Sequence, residues 1–207
     1  MFPEIELMIS KLVLNFNSIS SARKLQLDEL ACHLKLALSS SNKLNLLFVC
    51  THNSRRSHMG QLWGRLAANY YKVENANSFS AGTEVTELNS NVIDMLQNNG
   101  FMVSTIQNVL NPAYVIEFGV NQSLTCFSKL IDHEANPRRD FFALMMCTEA
   151  EANCPFVAGA IHRFGLPFDD PKAYDYTLKV SDAYLSTFEE IGVQILYLFN
   201  QIKHENN

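Results

Sequence analysis

The sequence predicts an α/β protein: an open, mostly parallel four-stranded sheet with helices on both faces, plus an N-terminal helical extension and an inserted β-hairpin. Three features predict it. NLLFV at 45–49 and DFFALMMC at 140–147 are short continuous apolar runs of the kind found in strands buried on both faces. Segments with helical apolar spacing alternate with strand-like runs, an order that implies parallel strands joined by crossovers. Residues 1–42, by contrast, read as helical throughout.

Within 1–42 an apolar-rich segment runs from Glu4 to Phe16. Leu27, Leu30, Ala31, Leu34 and Leu38 then recur at helical spacing, and the SSSN run at 39–42 ends the pattern. The expected organisation is therefore an extension over 1–42 and a main domain over 43–207. The strand Asn45 to Val49 opens that domain. From Ser57 to Tyr71 the pattern is helical, with Met59, Leu62, Trp63, Leu66 and Tyr70 on one face. NSFSAG (77–82) reads as a second strand, and Asn89 to Asn99 as a helix closed by Gly100. Two β-rich runs between Tyr114 and Phe127 flank Gly119 to Gln122, a hairpin signal. The strand DFFALMMC, a short strand at Ile161 to Leu166 and the loop PFDDPKAYD follow. A last helix, Ser181 to Lys203, carries Tyr184, Phe188, Ile191, Ile195 and Leu198 on one face.

The 207 residues are 47% hydrophobic and 18% charged, enough for a real core. A net charge of −5 excludes a broad basic field for nucleic acid or an anionic membrane, so any anion site is local. No apolar run approaches the roughly 20 residues that span a bilayer, and the N-terminus is acidic where a signal peptide is basic. The expectation is a soluble cytoplasmic protein. Five cysteines, an odd number in a chain this large, argue against a secreted disulfide framework. His58, His133 and His162 show no metal-ligand spacing with them, and Cys147 and Cys154 lack a second pair for zinc, so no metal is expected.

The chemistry concentrates in LLFVCTHNSRRSHMG, 46–60. In an open parallel sheet, ligands bind beyond the carboxyl ends of the strands, and Cys50 sits at such an end before a helix N-terminus. Backbone N–H groups of Thr51, His52, Asn53, Ser54, Arg55, Arg56 and Ser57 would form a cradle for a tetrahedral oxyanion. The same field favours Cys50 as a thiolate, the nucleophilic form. The planar fork of Arg56 suits two oxygens of the anion, and the Ser57 hydroxyl can donate to the sulfur and steady it as a leaving group. Asn53 suits the left-handed backbone that so tight a loop needs.

On these residues the chain resembles the family of low-molecular-weight protein tyrosine phosphatases and thioredoxin-coupled arsenate reductases, whose loop reads C-T-G-N-S-C-R-S. The resemblance runs from about Leu44 to the end, including SAGTE at 80–84 and FDDP at 168–171, and leaves out the N-terminal helices and the hairpin. It implies a phosphotyrosine phosphatase I-like fold for the main domain. Two positions depart from the pattern: His52 stands where the family usually has Gly, and Arg55, a further positive charge near the mouth, where it often has Cys.

The resemblance also implies roles. Asp170, before Pro171, matches the family's general acid, with Asp169 the lesser candidate. Cys147 and Cys154, six residues between them, match the redox pair of the thioredoxin-coupled reductases. The implied cascade runs from an arseno adduct on Cys50 through attack by Cys147 to a Cys147–Cys154 disulfide, returned to dithiol by thioredoxin or a similar thiol donor, with no bound cofactor. If TEAEAN between them is helical, the α-carbons lie about 10 Å apart at roughly 1.5 Å rise per residue. A disulfide needs about 4.4 to 6.8 Å, so the segment must unwind on oxidation. Cys32 and Cys126 match no motif and read as packing residues. A phosphatase using Cys50, Arg56 and Asp170, with Tyr174 or Tyr176 as aromatic wall, and a noncatalytic oxyanion-binding module remain the alternatives.

Overall fold

The computed structural model describes residues 1–41, 43–106 and 110–203. Strand β1 (Leu44–Cys50) is buried at every position, as its continuous apolar run requires. It pairs in parallel with β2 (Ala76–Gly82) on one side and with β6 (Phe141–Met145) on the other. Strand β7 (Ala160–Gly165) pairs in parallel with β6 and completes the order β2-β1-β6-β7. The chain thus winds outward from β1 in both directions, and the crevice beyond β1 and β6 is the switch point where ligands bind.

Helix α3 (Arg56–Tyr70) leaves the loop after β1 and lies against that strand. The approach is close because Gly60 and Gly64 face Phe48; a Cβ on Gly60 would come within 2.6 Å of the ring. On its other side Trp63 donates to the Phe188 carbonyl at 2.7 Å. Gly192 of α6 (Val180–Ile202) makes room for the indole, where a Cβ would sit 2.5 Å away. Tyr184, Phe188, Ile191, Ile195 and Leu198 are fully buried, as their spacing predicted. Helix α4 (Ser90–Gln97) is capped by the Asn89 side chain, and Gly100, at φ +86°, ends the turn after it.

The N-terminal segment forms α1 (Pro3–Leu12), a 3-10 stretch (Val13–Ser18) and α2 (Ser21–Ser41). The expected continuous helix to Phe16 instead tightens after Leu12, where Asn and Ser weaken the α pattern. Asn42, the last residue of the expected stop, lies outside the described residues. Ile5, Ile9, Leu27, Leu30 and Leu34 are buried in the same core as the sheet. Tyr197 of α6 donates to Asp28 of α2 at 2.9 Å. Cys32, expected to pack, lies exposed on α2, whereas Cys126 is buried.

The expected hairpin is β4 (Tyr114–Gly119) and β5 (Gln122–Cys126), with Asn121 at φ +57° in the turn. A third strand, β3 (Met102–Thr105), pairs antiparallel with β4 and makes it a three-stranded sheet. That strand is four residues long and largely exposed, so it carries no apolar alternation to read. It supplies what an isolated hairpin lacks for stability. The Phe2 N–H donates to the Phe118 carbonyl at 2.8 Å, joining the N-terminus to this sheet.

Candidate functional site

Cys50 ends β1 nearly buried, with its Sγ 3.0 Å from the Ser57 Oγ at the start of α3. Ser57 Oγ also accepts from Asn53 Nδ2 at 2.8 Å, which leaves the serine hydrogen free for the sulfur. Asn53 holds φ +44°, the only positive value for a residue between Cys50 and Ser57, so His52 needs no glycine-like backbone.

The carbonyls of the loop all find donors outside it. Thr51 O accepts from the Glu84 N–H at 2.8 Å and from Thr83 Oγ1. His52 O accepts from Ser128 Oγ and Thr86 Oγ1, both at 3.0 Å. Asn53 O meets His58 Nε2 at 2.8 Å, and Ser54 O accepts from the Asn89 N–H at 3.0 Å. Because a planar trans peptide points its N–H opposite to its carbonyl, the N–H groups of the following residues turn inward. That is the geometry of an anion nest. Gly82, in the SAGTE segment, lies so close that a Cβ would fall 2.7 Å from Asn53 N and from Thr51 O.

Arg56 is almost buried; it donates to the Phe168 carbonyl at 2.8 Å and to Asp170 at 2.6 Å. Asp170 also caps the turn after Pro171 by accepting from the Lys172 N–H at 3.0 Å. The clamp and the acid named from sequence are therefore a contact pair 114 residues apart in the chain. The guanidinium of Arg55 turns aside to Tyr184 Oη at 2.7 Å and Asp175 at 3.0 Å, and Tyr184 and Asn91 also donate to that carboxylate. The positive charge expected near the mouth is paired there. His52 pairs with Glu84 at 3.4 Å on the surface. Tyr174 is half exposed and Tyr176 fully so.

Cys147 follows β6 and is fully buried, with its Sγ 3.5 Å from Thr51 Oγ1. It is the N-cap of α5 (Thr148–Asn153), accepting from the Ala150 N–H at 3.4 Å. Cys154 is the C-cap of the same helix, so TEAEAN is helical in this dithiol form. Arg163 of β7 donates to the carbonyls of Cys154, at 2.8 Å, and Glu151.

Sequence reasoning did not single out Lys129 or Ser128, which reach the loop from beyond β5, nor a role for His58. Ser80 was visible only as part of SAGTE. Among the described residues no group of three or more His, Cys, Asp or Glu could hold a metal ion. None of their helices is long and apolar enough to cross a membrane. A cavity of about 1140 Å³ opens at the amino ends of the strands between Lys43, Phe142 and His162, away from Cys50.

A four-stranded parallel sheet flanked by helices is the fold of the low-molecular-weight phosphotyrosine phosphatases. The one from Vibrio cholerae O395 superposes with a TM-score of 0.51 at 19% identity, covering 79% of this chain and 99% of that one. A YwlE mutant from Bacillus subtilis gives 0.52 at 17% identity, covering 78% and 100%. In sequence the relatives include arsenate reductases. That of Bacillus cereus strain Q1 is 29% identical over 136 residues, 66% of this chain and 83% of its own. That of Brevibacillus brevis strain 47 is 27% identical over 154 residues, 74% and 92%. No family model matches the chain. The resemblance seen in the loop is thus borne out across both groups, and these relatives indicate an enzyme of the arsenate reductase and low-molecular-weight phosphatase kind.

Proposed function

We propose that the chain is a thiol-dependent arsenate reductase. The observation that carries this reading is the second cysteine at the loop: Cys147 Sγ lies 3.5 Å from Thr51 Oγ1, one residue past the Cys50 nucleophile, at the head of a helix that ends on Cys154. A phosphatase needs neither thiol. Arsenate enters the nest and takes the guanidinium fork of Arg56 from Asp170; the released carboxylate takes up a proton from solvent and passes it to the departing oxygen. The Cys50 thiolate displaces water from arsenic. Cys147 attacks the Cys50 sulfur, the As–S electron pair passes to arsenic, and arsenite leaves with arsenic reduced by two electrons. Cys154 attacks Cys147, Cys50 departs as thiolate, and α5 unwinds to let the disulfide close. A thioredoxin-like dithiol restores the pair. The thiols placed at both ends of α5 support this order.

The test is Cys147→Ser. Thioredoxin-coupled arsenate turnover is expected to fall by at least about 10³-fold, the scale on which catalytic groups act, while aryl phosphate hydrolysis persists. Arsenate turnover unchanged in the variant, or absent from wild type with any thiol donor, ends the reductase reading. Phosphoester hydrolysis through a phosphorylated Cys50 is the second reading; half-exposed Tyr174, in the turn begun by Asp170 and Pro171, favours it as an aromatic wall.

A further inference from the structure

Lys129 is the most deeply buried cation among the described lysines, with 4% of its surface exposed, and no step above uses it. Its Nζ donates to Ser80 Oγ at 3.2 Å and to the Phe127 carbonyl at 3.5 Å, and lies 4.8 Å from the Phe127 ring centroid. Ser80 Oγ is in turn 3.2 Å from His58 Nδ1, and His58 Nε2 is 2.8 Å from the Asn53 carbonyl.

The two ends of this chain assign every proton in it. A carbonyl only accepts, so Nε2 carries the hydrogen. Burial, with the charge of Lys129 adding to it, pushes the His58 pKa down to about 3, so the ring is neutral and Nδ1 must accept. Ser80 then donates to Nδ1, and its oxygen is open to the ammonium. Lys129 grips the same asparagine a second way: its backbone N–H donates to Asn53 Oδ1 at 2.8 Å, which turns Nδ2 toward Ser57.

We propose that Lys129 is a positioning residue for the oxyanion loop, its ammonium fixing the Ser80–His58 proton arrangement while its backbone fixes the Asn53 amide beside the nucleophile. The inserted sheet thereby has a role, since its exit segment braces the loop. This rests on the oxyanion reading of that loop. The titratable groups facing the ammonium are the Cys126 thiol and His58; burial pushes Cys126 up to about 12, so it stays a neutral thiol. Burial lowers Lys129 itself to about 8. A neutral amine can accept the Ser80 hydrogen, which frees His58 Nδ1 and loosens Asn53.

Calorimetric titration of the full chain with inorganic sulfate, whose charge is constant over this range, tests the proposal. Wild-type affinity is expected to fall about tenfold as pH rises through about 8. Lys129→Met should be weaker than wild type at neutral pH by about tenfold and flat across that range. Ser80→Ala, which leaves the lysine in place and cuts its link, should show the same weakening, and it decides the matter if Lys129→Met does not fold. Variants that bind like wild type with the wild-type pH dependence overturn the role of Lys129. Wild type that binds no sulfate at any pH overturns the oxyanion reading itself.

Discussion

Asn53 is the residue on which the loop turns, because its backbone takes the left-handed bend while its side chain reaches Ser57 on one side and Lys129 on the other. Its place was legible in the sequence, as were Cys50, Arg56 and Ser57, since all lie within one local stretch whose chemistry is set by a strand end and a helix start. What holds Asn53 was not legible. Lys129 lies 76 residues away, and a lone lysine after an apolar hairpin carries no signal in sequence. His58 shares the difficulty, because it reads as an ordinary polar residue on an amphipathic helix. Its burial has a measurable consequence. The folded pKa of about 3 lies below the ordinary 6.5, so between these values the unfolded chain binds a proton that the native chain refuses. The stability conferred by neutral His58 is complete above 6.5 and is lost as pH falls. Urea unfolding across that window should show stability rising with pH by up to about 1.4 kcal/mol per unit from this group. His58→Gln should lack this component of the slope.

Helix α5 joins Cys147 and Cys154 and cannot stay helical if their thiols bond. Arg163 holds it closed by donating to the carbonyls of Glu151 and Cys154 at its C-terminal end, where a cation also complements the helix dipole. Arg163→Ala should open the segment at lower cost. With about 1 kcal/mol for the lost bonds, disulfide formation under diamide, followed by thiol trapping, should quicken about fivefold. An unchanged rate would show that Arg163 does not restrain the helix. The helical nature of TEAEAN was an open condition in the sequence, since six residues are too few to display periodicity. Strand β3 escaped for a similar reason. Cys32 was placed on the right helix and the wrong face, because SISSARKLQLDELACHLKLAL offers leucines in more than one direction; Leu25 and Leu36 are largely exposed while Leu27 and Leu34 are buried.

At the scale of the molecule, the parallel sheet followed from the alternation of apolar runs and helices, and the solved relatives share that fold, while the order β2-β1-β6-β7 came from the structure. The expected boundary near residue 42 separates segments that share one core. Ile5, Ile9, Leu27, Leu30 and Leu34 pack into the cluster that contains β1 and α6. Burying a leucine or isoleucine stabilises by about 1.5–3 kcal/mol, so losing five such side chains removes an amount comparable to the 5–15 kcal/mol that typically holds a domain together. Deletion of 1–41 should therefore abolish cooperative thermal unfolding in calorimetry. A truncated chain that melts near the full-length temperature would mark the N-terminal helices as a separate unit.

The carbonyl of His52 is held by Ser128, whose backbone is clasped in both directions by the Asn111 side chain. An anion that rigidifies the nest thus tightens a contact that joins residues 76 apart in the chain, from the loop to the exit of the inserted sheet. Occupancy of the pocket is written into amides far from any contact with the ligand, and deuterium uptake at 126–130 should slow when phosphate is present.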